Sequence, residues 1–134
     1  MSMHRVTFIR TILTGATGVF CAIYAILALA TGRPDPLPFW VPAGVGLLAS
    51  ALIWAAALAA GPKVAGQAFD EGYRADAGQA HRIGFWVAIG LYPVFGLLLW
   101  QGWVSWPVAF AAMGTLTASA YLLSLIWLDL KGRA

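Results

Sequence analysis

Residues 69–82, FDEGYRADAGQAHR, carry most of the side chains in this chain that could do chemistry. The carboxylates of Asp70, Glu71 and Asp76 and the imidazole of His81 are the oxygen and nitrogen donors that bind metal ions. Their spacing fits no zinc pattern, and on a helix Asp70 and His81 share a face while the other two point elsewhere. We therefore predict no metal site, no cofactor site and no catalytic residue, and favour a solvated segment between apolar ones.

The same segment is the predicted partner-binding surface. An apolar stripe runs along it at helical spacing: Phe69, Tyr73, Ala77 and Ala80. Arg74 can pair with Asp70 at i,i+4 or with Glu71 at i,i+3. A helix here either continues into the next apolar segment and projects from the membrane, or lies along the membrane interface. The candidate partner-binding residues are Phe69, Asp70, Glu71, Tyr73, Arg74, Asp76, His81 and Arg82.

The composition requires lipid rather than water around most of the chain. With 61% hydrophobic and 10% charged residues and a mean hydropathy of +0.81, there is too little polar surface to cover a water-soluble globule. The net charge of +3 does not indicate nucleic acid, because the basic residues are scattered singly beside apolar runs. They are typical of charges at a membrane border.

Four apolar segments are long enough to cross a bilayer, since a helix needs about 20 residues to span a core of about 30 Å. They run from about 11–30, 39–60, 83–100 and 106–128, and none contains an acidic residue, a basic residue or histidine. Glycine and proline separate the first two and the last two. We predict an all-α integral membrane protein, a single domain over 1–134, with two antiparallel transmembrane hairpins joined by a cytoplasmic loop at 61–82.

Basic residues set the predicted orientation. One side of the four spans holds seven of the eight: Arg5, Arg10, Lys63, Arg74, Arg82, Lys131 and Arg133. Because such residues are retained in the cytoplasm, we predict a multi-pass protein of a bacterial inner membrane with both termini cytoplasmic. The predicted membrane anchors are Trp40, Trp100, Trp103 and Trp106 at the non-cytoplasmic border, and Trp86 and Trp127 at the cytoplasmic border.

Small residues at four-residue spacing allow helices to approach closely in lipid. The sets are Thr14, Gly18 and Ala22 in the first span, Ala51, Ala55 and Ala59 in the second, and Ala111, Thr115 and Ser119 in the fourth. They favour an internal four-helix bundle, although the same faces could dock a partner. Pro93, near the middle of the third span, predicts a kink because its ring removes a backbone hydrogen bond.

Function is expected to be non-catalytic. We expect a small accessory or scaffold subunit of a respiratory, photosynthetic or transport complex, with the bilayer, other membrane subunits or a second copy as partners. The alternative is a small oligomeric transporter or channel for an uncharged or weakly polar solute, although no span has the acidic residue typical of ion-coupled transport. An enzyme is not expected, because Cys21 is alone and no serine, histidine and acid converge in one apolar layer.

Overall fold

The computed structural model describes residues 1–133, and over that range its regular elements are five helices. They are α1 (Met3–Thr31), α2 (Val41–Ala60), α3 (Pro62–Ala68), α4 (Glu71–Trp100) and α5 (Trp106–Arg133). The helices α1, α2, α4 and α5 are each long and apolar enough to cross a membrane. The prediction of an all-helical protein with four candidate membrane spans is confirmed.

Glycine and proline set several of the helix boundaries. Gly32 ends α1 with a left-handed φ of 65°, which a residue with a Cβ rarely adopts. Gly61 separates α2 from α3 with a φ of 85°, and Pro62 then occupies the first turn of α3, where no backbone N–H is needed. Within α4, Pro93 leaves the helix continuous although it cannot donate to the carbonyl of the preceding turn.

Two of the long helices extend well beyond the apolar segments that predicted them. Helix α1 begins at Met3 rather than near residue 11, and α4 begins at Glu71 rather than near residue 83. With 30 residues, α4 is about 45 Å long, against a hydrocarbon core of about 30 Å. The segment 71–82 is therefore the first three turns of one continuous helix, in agreement with the first of the two alternatives for this segment.

The four long helices pack in the order α2, α1, α5, α4. Helices α1 and α5 form the centre, where a Cβ added to Gly18 would lie 3.1 Å from Cβ of Leu122 and 3.0 Å from Cδ2 of Leu123. Helix α2 packs on α1, α4 packs on α5, and α3 contacts α1 and α2. Within residues 1–133, α2 and α4 make no extended contact, so the arrangement is an open row rather than the bundle that we predicted.

The open row follows from which small residues lie in helix contacts and which are exposed. Gly18 of α1 lies in the contact with α5, and Thr14 of α1 and Ser119 of α5 are buried. Helix α2 instead packs through Ala49 and Ala56, on another side from its predicted small-residue face. That face is left exposed: Ala51, Ala55 and Ala59. All six predicted membrane anchors are also exposed: Trp40, Trp86, Trp100, Trp103, Trp106 and Trp127.

Candidate partner-binding site at the polar end of the helices

The start of α1, helix α3, the start of α4 and the end of α5 meet at one end of the molecule, here called the polar end. Arg10 lies at its centre and is only 3% exposed. It continues the inward stripe of α1 that also contains Val6 and Thr14. The sequence therefore places a cation on a face of α1 that is otherwise packed against neighbouring helices, and the cation must find its partners there.

Arg10 connects α1 to the other elements of the polar end. Its Nη2 donates to Oδ2 of Asp129, near the end of α5, at 2.8 Å. Its Nη1 donates to the carbonyl of Ala68, the last residue of α3. The guanidinium carbon lies 3.8 Å from the ring centroid of Tyr73 and 5.3 Å from that of Phe69. One side chain thus holds α3, the start of α4 and the end of α5 together through ionic, hydrogen-bonding and cation–π contacts.

Asp129 is shared between two arginines. It is 7% exposed, and the same Oδ2 accepts from Arg10 and from Arg133, one turn further along α5. Two guanidinium groups and one carboxylate leave this cluster with an excess positive charge. Nε of Arg10 is buried without a hydrogen-bond partner among residues 1–133, which adds a desolvation cost. The cluster is a tightly packed ion network at the border of the apolar helices.

Tyr73 contributes to the cluster as a neutral ring. Burial raises the pKa of its phenol, and the nearby guanidinium of Arg10 opposes that shift. The phenol is therefore protonated at physiological pH, and the face of its ring can stabilise the cation above it. Its aromatic neighbour Phe69 packs edge-on against it at 5.4 Å between centroids.

A cavity of ≈ 490 Å³ opens beside the ion network. Its charged lining residues include Asp70, Asp76 and Asp129, together with Arg10 and Arg133. Both of these arginines are engaged by Asp129. Asp70 serves as the N-cap of α4, where its Oδ1 accepts from the backbone N–H of Tyr73 at 2.9 Å. The polar end therefore combines the buried ion network of Arg10, Asp129 and Arg133 with an open polar surface.

The predicted partner-binding residues divide between these two roles. Phe69, Tyr73 and Asp76 are partly buried at the polar end. The other five are exposed: Asp70, Glu71, Arg74, His81 and Arg82. The predicted pairing of Arg74 with Asp70 or Glu71 is wrong, because the ion pairs among residues 1–133 all involve Asp129. The Asp70 carboxylate instead accepts from the backbone N–H of Tyr73, and the Arg74 side chain is exposed.

The side chains of this segment that could bind a metal ion are dispersed. Among residues 1–133, no group of three or more histidine, cysteine, aspartate or glutamate side chains is placed to hold a metal ion. Nδ1 of His81 lies 2.8 Å from the carbonyl of Ala77, and the imidazole ring lies 4.5 Å from the ring of Tyr121. His81 therefore bonds to its own helix and packs towards α5.

Sequence reasoning missed Arg10 as an internal cation and did not consider Asp129 at all. The sequence predicts a membrane-border charge at Arg10, whereas its burial follows from its place one turn before Thr14 on the inward stripe of α1. Asp129 lies one turn beyond buried Leu125 on α5 in the same way. Each of the two charges lies on the buried stripe of its helix, just beyond the end of the apolar segment, and the two charges are opposite. This pattern is the signal that could have identified the pair.

A comparison of the chain with protein-family models, with curated proteins and with solved structures found no match. Function is therefore inferred from the polar end and from the exposed faces of the helices.

Proposed function

We propose that this protein is a non-catalytic accessory or scaffold subunit of a larger membrane complex, which it contacts through the outward side of residues 71–82. The observation that carries this proposal is that residues 71–82 extend α4 and are held in place by Arg10. Three helical turns continue beyond the predicted span, and Arg10 fixes their inward side through the ring of Tyr73. The outward side is left exposed and charged. A rigid helix surface loses little conformational freedom when a partner binds it.

The proposed membrane arrangement is two antiparallel hairpins, α1 with α2 and α4 with α5, in a bacterial inner membrane with both termini in the cytoplasm. Support comes from the distribution of seven of the eight basic residues on one side. Cysteines introduced at Gly78 and at Asp35, in a Cys21→Ala background, test this arrangement. Labelling of residue 78 from the cytoplasm and of residue 35 from the periplasm is expected, and the reverse pattern would exclude it.

The partner interaction is tested by charge reversal at Arg74. The variant Arg74→Glu is expected to insert normally. A tagged copy of this variant, extracted in mild detergent, should recover much less partner protein than the unmodified chain, because an exposed cation on the binding side becomes an anion. Lys63→Glu is the matched control, since it makes the same charge change at an exposed site on α3. Equal recovery from Arg74→Glu and the unmodified chain would contradict this binding surface.

The second candidate is a small oligomeric transporter or channel for an uncharged or weakly polar solute. Thr17, Thr115 and Thr117 each donate to a carbonyl one turn back in their own helix, so their hydroxyl hydrogens are not free to bind a solute. We expect a solute path to lie between copies rather than within one. Solute flux into liposomes above that of protein-free liposomes would favour this function over the accessory one.

A further inference from the structure

An apolar groove of ≈ 470 Å³ lies between α4 and α5, on the part of the molecule away from the polar end. Its aromatic walls are formed by Tyr92, Phe95, Trp106 and Phe110, and both Gly96 and Gly114 line it. Here it is called the α4/α5 groove. The groove is open to the surroundings of the helices, so a single copy leaves it uncovered.

The two glycines of this groove are not needed for packing within one copy. A Cβ added to Gly96 or Gly114 would meet no atom within 4 Å. Glycine is less favourable than alanine inside a helix, so an interior glycine with empty space above it has no stabilising role in the isolated chain. In membranes, such positions allow the backbone of another helix to approach closely.

Tyr92 adds a hydrogen-bonding requirement to the same groove. It lies about 12 Å from Trp100 along α4, near the middle of the bilayer, and it is exposed. Its hydroxyl has no hydrogen-bond partner among residues 1–133, whereas the hydroxyl of Tyr24 donates to the carbonyls of Pro34 and Leu37. A hydroxyl without a partner in hydrocarbon is costly, so Tyr92 needs an acceptor from outside its own copy.

Helix α2 carries a matching acceptor at the matching depth. Ser50 is its one side-chain hydroxyl, lies about 14 Å from the Val41 end of the helix, and is exposed. Its Oγ donates to the carbonyl of Gly46 at 2.8 Å, which leaves the oxygen lone pairs free to accept a further hydrogen bond. Leu47 and Trp54, which flank Ser50 on the same side of α2, are also exposed.

We propose that α2 of one copy packs into the α4/α5 groove of a second copy, where the hydroxyl of Tyr92 donates to Ser50 of its neighbour. Helices α2 and α4 lie at opposite ends of the helix row, so each copy presents one surface of each kind. Contacts between two different surfaces repeat head to tail, and they close into a ring when the rotation between copies closes. This interface lies among the membrane-facing helices and does not depend on the partner proposed for the polar end.

Disulfide trapping tests the pairing directly. In a Cys21→Ala background, the double variant Ser50→Cys and Tyr92→Cys should form covalent dimers and a ladder of larger species when membranes are oxidised. Each single variant should form none, because position 50 meets position 92 rather than its own counterpart. Membranes that contain both single variants should give dimers and nothing larger. Ser50→Cys combined with Gly90→Cys is the control, since Gly90 lies on the other side of α4.

Substitutions in the groove test the same contact without any cross-link. Gly96→Leu should abolish self-association in bicelles but leave the single copy folded, whereas Gly90→Leu, at another exposed glycine with open space, should change neither. Tyr92→Phe should weaken self-association by about 3- to 20-fold, as expected for one interhelical hydrogen bond in a membrane. A chain that is monomeric in bicelles and forms no 50–92 disulfide would overturn the proposal, whether lipid or another protein fills the groove.

Discussion

Removal of the Asp129 carboxylate is the sharpest test of how the polar end is held together. In Asp129→Leu, the guanidinium of Arg10 stays buried but loses its ionic partner and keeps only a carbonyl and aromatic rings. Removing one partner of a buried ion pair costs about 3–5 kcal/mol, because the remaining charge has no compensation. We expect a loss of that size in the free energy of unfolding.

The reverse substitution should cost less. In Arg10→Met, Asp129 retains its contact with Arg133, so we expect a loss of about 1–3 kcal/mol from the missing charge-assisted hydrogen bonds. The double variant removes both buried charges, and apolar replacement of a whole buried pair is often neutral or stabilising. It should therefore be at least about 2 kcal/mol more stable than Asp129→Leu alone.

Unfolding by SDS titration in mixed micelles, followed by tryptophan fluorescence, measures these differences. Hydrogen exchange of the amides in 63–80 reports whether α3 and the start of α4 detach. Lys131→Met is the matched control, because it removes an exposed charge from the same end of α5 and should change stability by less than about 0.5 kcal/mol. If the losses of the two single variants simply add in the double variant, Arg10 and Asp129 are not coupled and this reasoning is refuted.

Two further predictions concern the helix contacts and the start of α4. Gly18→Ala should destabilise the chain by about 1–3 kcal/mol, because its Cβ would lie 3.0 Å from Leu123. Gly46→Ala is the control, since its Cβ would meet open space and should be tolerated. Equal thermal stability of the two variants would contradict this prediction. Asp70→Ala should cost about 1 kcal/mol and speed amide exchange in the first turn of α4, since it removes the N-cap. Glu71→Ala should not speed that exchange, and identical exchange in the two variants would count against a capping role.

Much of the fold was predictable because its signals are local. The apolar lengths and the glycine and proline boundaries identified the four long helices, and the stripe from Phe69 to Ala80 identified the inward side of the segment before the third span. The helix ends were less predictable, since a helix does not stop where its surroundings change from lipid to water. Thus α4 begins at Glu71, directly after the capping carboxylate of Asp70, rather than near residue 83.

The candidate site was predictable only in part. The outward residues of α4 were predicted to be exposed and charged. The prediction that Arg74 pairs with Asp70 did not consider that the Asp70 carboxylate also caps the start of α4. The ion pair between separate helices joins Arg10 to Asp129, 119 residues apart in the chain. Spacing rules within one helix cannot report such a pair, because its existence depends on how two separate helices are aligned.

The sequence by itself determined that four apolar helices would form and that glycine and proline would separate the first two and the last two, but it predicted a loop at 61–82 where the structure has α3 and the start of α4. Hydropathy, helical length and the backbone limits of glycine and proline are properties of short segments, and no other part of the chain changes them. Only the tertiary structure decided the order α2, α1, α5, α4 and the burial of Arg10. The physical reason is that close helix contact and the cost of a buried charge both depend on atoms supplied by other helices.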